Sequence, residues 1–154
     1  MAYQLPLTAV GDAAYALFQD ATLQQLASGG VFTDVPESPS YPFLWFEVLH
    51  EANEGGLGTQ PGRGSMPHVT LRLHLFQGEG GALRDAQVAM ARAIQLLFPA
   101  GDATPALALD GYTLCSNRPL PEIQTIPLPF EELNGVKVQE LVTNVDLILE
   151  EVVS

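Results

Sequence analysis

Three histidines, one cysteine and several adjacent acids are the residues here with types suited to chemistry. His50, His68 and His74 fall in two apolar, β-forming runs, Phe43 to His50 and His68 to Phe76. His68 and His74 share parity, but Thr70 and Arg72 stand between them, and Arg72 would oppose a cation. A metal centre needs three or four converging ligands with outer support, so these read as polar strand-face histidines near solvent. Cys115 has only Arg118 nearby as a base and reads as a small buried hydrophobe. Ser65 sits in Gly64-Ser65-Met66, outside the strand-to-helix turn that a serine nucleophile needs. Glu131-Glu132 and Glu150-Glu151 are sequence neighbours, and neighbours on a strand point to opposite faces, so neither pair is a catalytic dyad. The glycines between Gly55 and Gly64 lead into a strand, with no Lys-Ser/Thr after them, so they are no phosphate cradle. The expectation is a protein without catalytic, cofactor or metal residues.

The elements that position these residues follow from periodicity. Val69, Leu71, Leu73 and Leu75 alternate with Thr70, Arg72 and His74, the period of a half-buried strand. With Phe43 to His50 this predicts a long antiparallel hairpin, its tip a flexible loop over residues 52–66. Trp45 and Phe46 are consecutive, so both strand faces carry an aromatic; one enters the core, and the other calls for a covering helix or a neighbouring subunit. Upstream, Thr8 reads as a helix N-cap ahead of an apolar stripe of Val10, Ala14, Leu17, Phe18 and Ala21. Asp20 can cap a further turn carrying Leu23 and Leu26, ended by Gly29-Gly30, which leaves open one helix or two. Val31 to Val35 is extended, and Pro36, Pro39 and Pro42 make a stiff connector. After a turn at Gln77 to Gly81, Ala82 to Phe98 is predicted as a helix, with Leu83, Ala86, Met90, Ala93, Ile94 and Leu97 on its apolar face and Pro99 and Gly101 stopping it.

Asp110-Gly111 within Leu107 to Cys115 predicts a tight hairpin. The proline-rich stretch 118–130 reads as an edge strand or extended arm. Beyond a turn at Asn134-Gly135, Val136 to Glu150 alternates again. Leu141, Thr143, Val145, Leu147 and Leu149 share one face; Glu140, Asn144, Asp146 and Glu150 share an acidic outer one. The expected fold is α+β, a largely antiparallel sheet with two helices packed against it, in one domain over residues 1–154.

Charge narrows the function classes. Eighteen acids against six bases give −12, a surface that repels phosphates and argues against sequence-specific DNA reading. Solubility alone accounts for such a charge, and so does a surface that DNA must pass without sticking. No apolar run is long enough for a membrane span and no secretory leader is evident, so a cytoplasmic origin is expected, in keeping with the single Cys115.

The order of these motifs resembles a known family. Asp12 to Phe18, Gly30-Val31-Phe32-Thr33-Asp34-Val35-Pro36, Tyr41-Pro42-Phe43, Val69 to Phe76, the 82–98 helix and Leu109-Asp110-Gly111-Tyr112-Thr113-Leu114 are similar, in that order, to the tail terminator (tail-completion) family of tailed bacteriophages. The resemblance runs from about Asp12 to Leu149; the proline-rich stretch after Asp110-Gly111 departs from it. It implies a non-enzymatic virion protein of the neck. Such a protein forms a homohexameric ring on the head-proximal end of the tail tube, stops tube growth and offers the docking surface for the head completion or connector protein. Its partners are then copies of itself, the tube protein and the connector protein. DNA passes through the bore without sequence-specific binding, and six copies at −12 each carry roughly −72 together. The residues assigned to the bore or to partner contacts are Glu51, Glu54, Arg63, Asp146 and Glu150; for any one of the four acids an ordinary solvated carboxylate is the other reading. Another phage neck or tail protein (a head-completion or tube subunit) and a small-ligand-binding α+β domain are the alternatives.

Overall fold

The computed structural model describes residues 6–34, 36–37, 40–51, 68–78, 83–99, 106–109, 111–114, 126–127, 131–133 and 136–151. Helix α1 (Pro6–Leu17) begins on a proline. Proline suits a first helical position, where its missing N–H costs nothing and its φ is already set. Thr8 therefore lies inside the first turn and is no N-cap. Of the predicted apolar stripe, Val10, Ala14 and Phe18 are buried, Leu17 is half-buried and Ala21 is exposed; Ala9 is buried beside them. The first helix ends at Leu17, and after a turn the chain resumes as α2 (Ala21–Leu26), capped by Asp20, whose Oδ2 accepts from the Leu23 N–H at 3.0 Å. Arg92 then grips the same carboxylate, with Nε on Oδ2 and Nη2 on Oδ1, both at 3.0 Å. That guanidinium, helped by the Leu23 N–H, holds the Asp20 carboxyl below its ordinary range.

Gly29 and Gly30 end this helical region. Gly29 donates to the Pro42 carbonyl at 2.8 Å, and a Cβ on Gly29 would lie 1.8 Å from the Ser40 carbonyl oxygen. Gly30, at φ 111°, turns the chain into β1 (Val31–Phe32).

The sheet is built on the expected hairpin of β2 (Phe43–Glu51) and β3 (His68–Gly78), antiparallel from Phe43 opposite Phe76 to Glu51 opposite His68. The final strand, β7 (Val136–Glu151), lies antiparallel along the other edge of β3. β1 adds to β2 in parallel. Helix α3 (Leu83–Leu97) buries Ala86, Met90, Ala93 and Leu97 of its predicted apolar face, with Ala89 beside them, while Leu83 and Ile94 are half-buried.

The hairpin expected at Leu107 to Cys115 does not form. Residues 106–109 are not strand, although Gly111 does adopt a positive φ of 84°. Leu107 is buried in the main core and the Ala106 N–H donates to the Leu97 carbonyl, so this segment finishes α3 instead. Tyr112 to Leu114 forms β4 against Glu151 to Leu149 of β7. A sixteen-residue strand offers a long edge, and long-range pairing there displaces the local turn. β5 (Ile126–Pro127) and β6 (Glu131–Leu133) pair with β7 too, giving the order β1-β2-β3-β7-β4. The fold is α+β, with helices against a largely antiparallel sheet.

Strand alternation gives the sheet two unlike faces. Leu44, Phe46 and Val48, then Val69, Leu71, Leu73 and Leu75, then Leu141, Val145, Leu147 and Leu149 form the main core with the helices. The opposite parity carries a smaller aromatic cluster and a row of polar side chains.

Candidate functional site

The face turned away from the helices holds the densest polar chemistry among the described residues. Its apolar end is Phe43, Phe76 and Val138, with Phe32, Tyr41 and Trp45 packed around them. Phe43 stacks on Phe76 at 4.8 Å, and burial pushes the Tyr41 phenol pKa up. Trp45 continues the stack onto His74, with ring centroids 4.2 Å apart, and donates its indole N–H to the Thr33 carbonyl at 3.2 Å. Trp45 and Phe46 thus serve opposite faces as their adjacency predicts. The aromatic on the second face is covered in part by the chain's own Phe32, Tyr41, Phe43 and Phe76.

Strand register then lays a polar ladder across β2, β3 and β7. His74 is 8 % exposed and bracketed by acids from both neighbouring strands. Its Nε2 lies 2.6 Å from Glu47 Oε2, and its Nδ1 contacts Glu140 Oε1. One step along, Arg72 donates from Nε to Asn144 Oδ1 at 2.8 Å and places Nη1 3.9 Å from Glu47 Oε2. Another step on, Thr70 donates to Asp146 Oδ1 at 2.8 Å. Opposed polar pairs of this kind stabilise a sheet by tenths of a kcal/mol each, up to about 1. Both ring nitrogens of His74 are taken by the protein's own carboxylates, so the ring offers neither lone pair nor N–H to a substrate. The arrangement is a cross-strand tie.

His74 is therefore not the near-solvent histidine that the sequence suggests. Its partners lie 27 and 66 residues away, and only the register brings them together. The available signal was parity: Glu140 falls on the outer face of the last strand and His74 on the polar face of β3.

Of the assigned contact residues, Asp146 is exposed, on this face, and held by Thr70. Glu51 ends β2 opposite His68, and Glu150 stands opposite Thr113 in β7. Glu54 and Arg63, like the rest of the 52–66 loop, lie outside the described residues, as do Ser65, Cys115 and most of the 118–130 stretch. Within that stretch, Ile126 and Pro127 pair with Val142 and Leu141 of β7, as an edge strand would. Glu131 and Glu132 stand opposite Val138 and Lys137. Among the described residues, no three His, Cys, Asp or Glu side chains are grouped to hold a metal ion. No described helix is long and apolar enough to cross a membrane.

No protein-family model and no curated protein sequence matches the chain. Its fold does match solved structures, seven chains in all. One belongs to a structure described as "Virion of native gene transfer agent (GTA) particle". The two chains superpose with a TM-score of 0.59 at 16% identity, over 96% of this chain and 99% of that one. At that identity the likeness is one of fold, and it extends over nearly the whole of both chains.

Proposed function

We propose that this chain is a structural protein of a phage-like virion, and within it a tail terminator. The observation that carries the reading is the near end-to-end fold match to a virion chain, 96% and 99% covered. It joins the resemblance in motif order, which arose from the sequence independently. In this reading the chain acts by shape. Copies close into a homohexameric ring through one head-to-tail contact repeated around an axis. One ring face binds the last ring of the tail tube and ends its growth; the other receives the head connector. The −12 of each copy lets DNA slide through the bore, where a basic wall would hold it. Glu51, Glu54, Arg63, Asp146 and Glu150 remain the residues assigned to the bore or to partners.

Electron microscopy of a lysate made without this gene tests the position in the virion. A tail terminator leaves heads apart from tails, with tails overlong or unjoined. Tails of normal length with empty or leaking heads would assign the chain to head completion, and the lack of any tube would make it a tube subunit.

A further inference from the structure

We infer that His74 is held as an imidazolium in the folded chain, and that its second ring proton locks β2, β3 and β7 together on the face away from the helices. This rests on local geometry and not on the proposed role in the virion. A neutral imidazole has one N–H donor and one lone pair, and an ionised carboxylate only accepts. His74 meets a carboxylate at each nitrogen: Glu47 from β2 at Nε2, Glu140 from β7 at Nδ1. With both carboxylates ionised, both contacts are hydrogen bonds only if both nitrogens carry hydrogen. Loss of one proton turns a lone pair onto a carboxylate and converts a tie into a repulsion.

Charge balance points the same way. The groups facing the ring are Glu47 on β2, Glu140 on β7 and, through the shared Glu47 carboxylate, Arg72 on β3. With an imidazolium the cluster holds two cations and two anions. With a neutral ring it keeps one uncompensated negative charge beside a ring that is 8 % exposed. Trp45 stacks on the ring at 4.2 Å with its plane tilted 21°, a position in which an aromatic face favours a cation. The three strands thus share one charge-assisted link.

The test is long-range 1H–15N spectroscopy of the imidazole rings in the full-length 15N-labelled chain, through a series from mildly acidic to mildly alkaline pH. The His74 signals are assigned by their loss in His74→Gln. The expected result is two protonated ring nitrogens at neutral pH. On raising the pH, the ring passes to one N–H together with a change in emission of Trp45, the chain's single tryptophan. Glu47→Gln and Glu140→Gln each leave the ring with one N–H at the neutral pH where the wild type shows two. A single N–H on His74 already at mildly acidic pH overturns the inference, as does a proton found on a carboxyl beside a neutral ring. Identical behaviour in wild type and both Gln variants overturns it too. If either variant fails to fold, the other variant and the wild-type series still decide.

Discussion

Gly11 and Gly29 should answer the same substitution in opposite ways. Gly11 lies inside α1, and a Cβ there would meet Val48 Cγ2 at 3.7 Å, an ordinary contact. Glycine costs an interior helix roughly 0.5–1 kcal/mol relative to alanine, so Gly11→Ala should raise the urea midpoint by that much stability. Gly29→Ala drives a methyl into the Ser40 carbonyl and must shift backbone, so it should lower stability by more than about 1 kcal/mol. Asp20 adds a pH effect. Its carboxyl is held below its ordinary 3.8, chiefly by the Arg92 hydrogen bond. A lowered carboxylate contributes stability that is complete above the unfolded value and is lost as pH falls through the folded one. Asp20→Asn should therefore flatten the fall in stability below about pH 3.8, measured by urea unfolding across acidic pH. At this scale the sequence was readable where one residue acts locally, as with the Asp20 cap. The grip of Arg92 on Asp20 and the bracketing of His74 were not readable, because both join residues far apart in the chain.

Elements were legible wherever a long apolar period had a single reading. The alternation of Val69 to Leu75 gave β3 and that of Leu141 to Leu149 gave β7, each with the correct buried face. The same arithmetic gave α3. Misreadings came where a local signal met a long-range competitor. Asp110-Gly111 is a strong turn pair, but Leu107 was worth more in the core and Tyr112 paired with β7. Thr8 is a good cap residue, but Pro6 takes the first helical position ahead of it. How α1 docks on the sheet gives a prediction at this scale. Phe18 meets Phe46 edge to face, with ring centroids 5.5 Å apart, and both are essentially unexposed. Phe46→Ala should cost about 3–5 kcal/mol, read as a lower thermal midpoint with the remaining far-UV signal still α+β.

For the whole molecule, an acidic α+β chain shares its fold with a virion chain over nearly the full length of both. The unlike faces of the sheet give it material for contact, since one is spent on the helices and the other carries the aromatic stack and the polar ladder. The assigned residues of the 52–66 loop contribute through the proposal alone. What the composition stated at once was the charge, 18 acids against 6 bases, a balance that on average repels phosphates. Ring closure is what the proposed role requires. The most direct measurement is the oligomeric state of the purified chain with and without tail tube protein, by native mass spectrometry and negative-stain microscopy. Six copies around a central hole are expected, in free solution or seated on tube ends. A chain that stays monomeric under both conditions, leaving tube ends bare and growing, would contradict that role.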